Sequence, residues 1–345
     1  MLLSGYAPSW IRTMLTPSLT LTPETARHLT LLRTLGEPEL SQYSRWQWLA
    51  WDASSRYLLS VQKQGGTPLR WWDLHSEAAT PLFAHSVSRC RAAWFLPGSQ
   101  RLLSVTVRGT LQTWSVTDGK LLSSVETGGS VSSACLSSDG TRLLLTAGQG
   151  RVMLWDLERS WLVWRLEDPA FHYGCALSAD GRFAAVGAAE EQVGAATRAS
   201  VRLWDARTGK SVASRTLDSH LIWNVAFTPS GQGLVASNTG GELLFLGLPG
   251  LETVRVIGAP ASGAMQMEFI PGGSLLAASA DTSAFVVIDV HAGQRVFAYS
   301  DLDDMQGSTA NFSPDGRFVC WGMDDGKVGI WGAKPRPGAA WDVGD

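Results

Sequence analysis

Six histidines (His28, His75, His85, His172, His220, His291) and four cysteines (Cys90, Cys135, Cys175, Cys320) are the side chains of this sequence best equipped for proton transfer, nucleophilic attack or metal ligation. Their spacing argues against all three. No histidines stand in an HxxxH pattern, no cysteines in CxxC, and there is no GxSxG nucleophile turn or Walker phosphate loop. The cysteines fall in separate segments and read as buried reduced thiols rather than disulfides or a metal site. His85 and His220 read as packing or turn residues. No catalytic residue, metal or cofactor is expected.

The other group with unusual capacity is aromatic. Each of the 16 tryptophans buries roughly 150–250 Å², on the order of 4–6 kcal/mol before entropy at about 25 cal/mol per Å². With 45% hydrophobic and 17% charged residues in 345, the chain can bury a large core. The 36 glycines and 15 prolines are scattered in short clusters, which points to many turns and short strands. The net charge is −3 with no run of like charges, so the electrostatic footprint of a nucleic-acid binder is missing. No apolar run approaches the roughly 18 residues of a spanning helix. Gly5, Pro8 and Arg12 interrupt any signal-type segment at the amino terminus. A soluble, cytoplasmic protein with neither a nucleic-acid nor a membrane partner is expected.

The tryptophans also mark a repeat. Trp72, Trp114, Trp155, Trp204, Leu246, Ile288 and Trp331 end short β-type runs such as VMLWD and VRLWD, at intervals of 42, 41, 49, 42, 42 and 43 residues. A second marker precedes each anchor: Trp51, Phe95, Leu136, Leu177, Phe227, Phe269 and Phe312, the last five opening turns such as LSADG and FSPDG. The distance from marker to anchor is 19 residues in five copies, 21 in the first and 27 in the fourth. Between the markers lie apolar or alternating runs bounded by turn residues, which read as four short strands per unit. One such sheet cannot bury both faces alone, whereas units stacked radially bury them against their neighbours. The expected fold is all-β, a ring of seven four-stranded antiparallel blades.

These residues resemble the WD-repeat (WD40) β-propeller family, most clearly at VRLWDARTGK (201–210) and NFSPDGRFVCWGMDDGKVGIW (311–331). The similarity covers roughly residues 29 to 333. The family's Gly-His survives only loosely, at His85 and His220, and its hairpin aspartate only as Asp325. The buried hydrogen-bond tetrad of strong members therefore cannot be complete in most blades, and stability must rest on apolar packing between blades. The segment after Trp331 is too rich in Pro and Gly for a good fourth strand, so LTLLRTLG (29–36) is expected to close the last blade. Residues 1–28 form an extension, in which TPETARH (22–28) carries the Thr cap and Pro of one helical turn, and residues 334–345 form a tail. Trp114, Trp155, Trp204 and Trp331 are structural, as are Trp51 and Trp94; Trp46 aligns with the apolar Val131 and Ile222.

The resemblance implies a partner surface at the channel mouth, where the inner strands begin. Positions four and six residues before the second marker should face it; in the fourth to sixth blades they carry Phe171, Tyr173, Leu221, Trp223 and Met265. Five large apolar side chains there form either a binding patch or a plug of the channel. Arg45, Arg89 and Arg91 on the same rim are expected near Asp301, Asp303 and Asp304. These charges either solvate loops and pair with each other or orient a partner. The fourth unit carries an insertion at 188–200, expected to add nothing to its blade and to be either a contact arm or a tolerated loop.

The expected function is a non-catalytic scaffold for a protein or peptide partner within a multi-protein complex, with Trp223 and Tyr173 as anchors. Two other classes remain in view. WDAR (204–207) matches the Trp-Asp-x-Arg motif of substrate receptors for cullin-type ubiquitin ligases, but Arg198 reverses the charge of the longer motif's upstream aspartate. A propeller enzyme could hold a channel metal with ligands drawn from several blades.

Overall fold

A computed structural model describes residues 18–37, 47–62, 68–87, 89–98, 100–148, 150–168, 170–190, 198–217, 221–258, 264–280, 284–300, 308–323 and 326–334. Seven four-stranded antiparallel sheets follow one another along the chain. Six are consecutive, spanning 47–86, 90–126, 131–167, 171–217, 222–258 and 264–300. The seventh combines Ala310–Phe312, Phe318–Gly322 and Val328–Ala333 with the amino-terminal strand Leu29–Leu35, which pairs antiparallel to Val328–Ala333. The ring closes laterally too: Thr309 Oγ1 of the seventh blade accepts from the Leu49 N–H of the first at 2.8 Å.

Marker and anchor each have a physical role. In the third, fourth and seventh blades the marker is followed by Ser-x-Asp-Gly. In the third, Ser137 Oγ donates to Asp139 Oδ1 (2.5 Å) and accepts from the Arg142 N–H (2.9 Å). The glycine that follows adopts the left-handed conformation the reversal requires, φ +73° at Gly140. Anchor residues plug the interfaces between sheets. Trp72, Trp114, Trp204 and Trp331 are buried; Leu246 and Ile288, which replace tryptophan in the fifth and sixth blades, are 1% and 2% exposed.

Seven apolar clusters result, each spanning two neighbouring blades, including the seventh and first. Side chains also tether neighbouring blades: Trp48 Nε1 donates to the Ala93 carbonyl at 2.8 Å and Trp164 Nε1 to the Ala206 carbonyl at 2.7 Å. Trp114 Nε1 donates to Ser104 Oγ at 2.9 Å with His85 stacked on its ring, whereas the Trp155 indole N–H has no partner. Trp51 and Trp94 are half-buried; Trp46 lies outside the described residues. Residues Pro23–Ala26 form one helical turn capped by Thr22, with Thr25 completing the reciprocal cap. Leu21 and Ala26 pack into the cluster between the sixth and seventh blades.

The insertion departs from expectation. Phe183–Glu190 and Arg198–Asp205 pair continuously out to Glu190 and Arg198. Its ends therefore lengthen the hairpin and bury Ala188, Ala189, Ala199 and Ser200. The consecutive small side chains Ala188, Ala189, Ala199 and Ser200 let the ladder continue into the packed zone; residues 191–197 lie outside the described ones.

Candidate partner-binding rim

All seven inner strands begin at one face of the ring and end at the other. In five blades the pairing of the inner strand with its neighbour skips one residue near its start: Arg91, Ser132, Tyr173, Trp223 and Met265. A β-bulge removes one residue from the alternation and re-aims its side chain. Cys90, Val131, His172 and Ile222, each just before a bulge, are buried, whereas Arg91, Ser132, Tyr173 and Trp223 are half-buried. The position four residues before the marker is thus the one the strand geometry turns out of the packing. In the first blade the pairing runs unbroken from Gln47 to Trp51.

Two of these side chains meet. The Tyr173 and Trp223 rings stand edge to face, centroids 5.3 Å apart at 79°. Gly174 makes this possible: a Cβ there would sit 2.7 Å from Asn224 Cα and 2.8 Å from Trp223 O, so the inner strands of the fourth and fifth blades touch backbone to backbone. Phe171, six residues before its marker, is 54% exposed. Leu221 is half-buried, and its carbonyl accepts from the Thr239 N–H at 3.0 Å.

Beneath this patch lies a buried ionic cluster that the sequence reading did not find. Asp168 receives His172 Nε2 at 3.2 Å and, from the third strand of the same blade, the Arg202 guanidinium. A carboxylate only accepts, so His172 carries a hydrogen on Nε2. Burial alone would raise the Asp168 carboxyl; the His172 and Arg202 hydrogen bonds and the arginine charge outweigh it and hold the group below its ordinary value. The cluster pins the chain on both sides of Phe171. Its only signal in the sequence is the i,i+4 pair Asp168 and His172.

The arginines divide. Arg89 is exposed at φ +52°, while Arg91 is half-buried and turned into the channel, where burial pushes its guanidinium down and the Cys175 thiol of the fourth blade counteracts this. Arg45, Asp301, Asp303 and Asp304 lie outside the described residues, as does the Met265 side chain. Arg207 is exposed in the turn after the third strand.

The cysteines are free thiols. Burial pushes Cys90 up to about 12 and Cys135 to about 11, and raises Cys175 and Cys320 as well, so none is a ready thiolate. Among the described residues no three His, Cys, Asp or Glu side chains gather as metal ligands, and no helix is long and apolar enough to cross a membrane.

A family model for the WD domain, G-beta repeat, matches residues 119–156. The chain is 27% identical over 251 residues to telomerase protein component 1 of Mus musculus, an alignment covering 71% of this chain and 9% of that protein. It is 28% identical over 169 residues to the WD repeat-containing protein SL1-17 of Schistosoma mansoni, covering 48% and 52%. It is 28% identical over 147 residues to the COMPASS component SWD2 of Saccharomyces cerevisiae, covering 38% and 43%. The chain therefore spans about half or less of each of these relatives.

Proposed function

The chain is a WD-repeat β-propeller, and we propose that it serves as a rigid, non-catalytic scaffold holding a protein or peptide partner on the rim around Tyr173 and Trp223. The observation that carries this reading is the aromatic pair: two large rings re-aimed by bulges, half-open at the mouth beside an exposed Phe171. Single exposed apolar side chains are ordinary, whereas a contiguous aromatic cluster is the composition of an interface centre. The rings sit on strands locked by neighbouring blades, so association costs little ordering entropy. Two relatives are named as components of larger assemblies, telomerase and COMPASS, which favours a partner within a multi-protein complex. Arg89 of the second blade is exposed and offers a charge elsewhere around the ring.

The test pairs binding with stability. Proteins that co-purify with the intact chain are identified, and their affinity is measured for wild type and Trp223→Ala. The expected loss is about 2 kcal/mol, roughly 30-fold, with little change in melting temperature. Unchanged affinity with a sharp fall in melting temperature would show Trp223 to be a packing residue and remove the rim as the docking surface.

A further inference from the structure

On the outer wall of the ring the grooves between neighbouring blades are not closed alike. In most of them an outer-strand side chain of one blade crosses to the turn between the third and outer strands of the next. Arg33 reaches from the seventh blade to the Leu74 and Ser76 carbonyls of the first at 3.1 and 2.7 Å, and Trp164 from the third to the Ala206 carbonyl of the fourth. Arg215 reaches Leu251 of the fifth at 3.0 Å, and Arg255 reaches Val290 and His291 of the sixth at 2.8 and 3.0 Å. Between the first and second blades Trp71 Nε1 donates to the Val116 carbonyl at 3.2 Å, and between the sixth and seventh Phe297 packs with Leu21 and Ala26.

The groove between the second and third blades differs. In the register of Trp164 and Arg255, opposite the residue before the anchor, stands Ser123, exposed and too short to cross. Among the described residues no side chain donates to the Leu157 carbonyl, the counterpart of Leu74, Ala206 and Val290. A cavity of about 520 Å³ lies there, lined by Leu103, Leu111, Val125 and Leu157 among others. A space of about 570 Å³ between the fifth and sixth blades has Arg255 in its wall, whereas this one is uncrossed. Leu121 and Leu122 on one side, and Trp161 and Leu162 next to the lining residue Ser160 on the other, are exposed.

The receiving turn differs in a matching way. A Cβ at Gly209 would crowd Trp164 and one at Gly293 would collide with Arg255, but the third blade has Ser160 at this position, at φ +53°. Leu251 holds the same place in the fifth blade at φ +60°, and the side chain that crosses to it is Arg215. A turn that keeps its Cβ therefore still admits a guanidinium.

We propose that the groove between the second and third blades docks an extended segment of a partner protein, with one arginine of that segment crossing Ser123 to the Leu157 carbonyl and apolar neighbours against Leu122 and Trp161. The lining carboxylates do not select it, since Asp156 is already held by Arg142 and Arg159. The backbone turn does: its counterparts in the first, fifth and sixth blades each accept from an arginine of the chain itself, whose planar fork of donors suits carbonyl oxygens. This surface is separate from the Tyr173 and Trp223 rim.

The probe is acetyl-TVRVIG-amide, a copy of the fifth blade's outer strand Thr253–Gly258. Calorimetry on the full chain should show binding, weakened at least about tenfold when the peptide's arginine is replaced by norleucine. Ser123→Arg supplies the crossing residue from within and should abolish binding with no fall in melting temperature. Should that variant fail to fold, Leu122→Lys, at an exposed position, should weaken binding about fivefold by repulsion. Trp223→Ala should leave peptide affinity unchanged, so this site and the rim fail separately. No binding, equal binding of the norleucine peptide, tighter binding of a tryptophan peptide, or binding that survives both groove variants overturns the proposal. Self-association that Ser123→Arg removes would give the groove to a second copy of the chain, and overturns it too.

Discussion

The two ends of the channel are built from the same inner strands, yet each end departs from the repeat in its own way. At the rim the departures are geometric. A bulge interrupts the pairing in five blades, and in four of them, at Arg91, Ser132, Tyr173 and Trp223, the skipped side chain is half-buried. At the other end the strands run in register, and the departure is chemical. The residue before the marker is Ala50, Ala176 or Ala226 in three blades, but Glu268 and Asn311 in two others. The difference teaches where a repeated scaffold can carry individuality: at positions the geometry has released from packing, or at positions whose packing can be sacrificed for a polar group. The first costs little stability and the second costs some.

The largest expected effect concerns what supports the rim. Asp168→Ala would leave the Arg202 charge and the buried His172 without their shared carboxylate, and should destabilise the chain by about 3 kcal/mol or more in chemical denaturation. The sign of its pH dependence follows from the depressed carboxyl. The stability Asp168 contributes is fully present above its ordinary value of 3.8 and is lost as pH falls through the lower folded value. The wild type should therefore lose an advantage over Asp168→Ala only in that acid window. A variant as stable as wild type at neutral pH would mean the rim rests on apolar packing alone.

Next in size is Gly174→Ala. The added methyl would lie within 2.8 Å of the neighbouring strand's backbone, which has no flexible end to yield. We expect a cost of about 2 kcal/mol and, because the fourth and fifth inner strands must part, a partner affinity reduced alongside Trp223→Ala. Phe171→Ala sharpens the comparison from the other side: its ring is over half exposed, so it should lower affinity less than Trp223→Ala does and leave the unfolding midpoint within about 0.5 kcal/mol of wild type.

Much of this was legible in the residues. Blade number and membership of the fifth and sixth copies followed from one period, because an interface plug needs only bulk and apolarity, and Leu246 and Ile288 fill the site that tryptophan fills elsewhere; closure by residues 29–36 followed from the Pro- and Gly-rich segment after Trp331, and the strand found is Leu29–Leu35. The position four residues before the marker, which that count selected, is the bulged one at Arg91, Tyr173 and Trp223. What did not follow has physical reasons. A bulge is a slip of one residue that leaves no mark in hydrophobic alternation, so Tyr173 and Trp223 could be placed at the mouth but not against each other. The ladder at 188–200 grew longer because small residues there suit a packed hairpin, a feature that length alone concealed. Asp168 meets Arg202 across 34 residues of chain, beyond any local pattern. Glu268, an acid before the marker Phe269, drew no reading from the sequence, because only the closed ring turns that position inward.

That acid yields an effect of the opposite sign. The Glu268 carboxyl is raised in the folded chain from its ordinary 4.5 to about 8, so its neutral form suits the fold. The stability linked to it is fully present below pH 4.5 and is lost as pH rises through about 8, the reverse of Asp168 and in a separate window. The loss grows across that window as the carboxylate forms. Glu268→Gln, neutral throughout, should unfold with a midpoint that no longer declines between pH 5 and 8. A wild-type midpoint that is flat over this range would leave the two ends of the channel chemically alike, and would assign the Glu268 carboxylate to solvent.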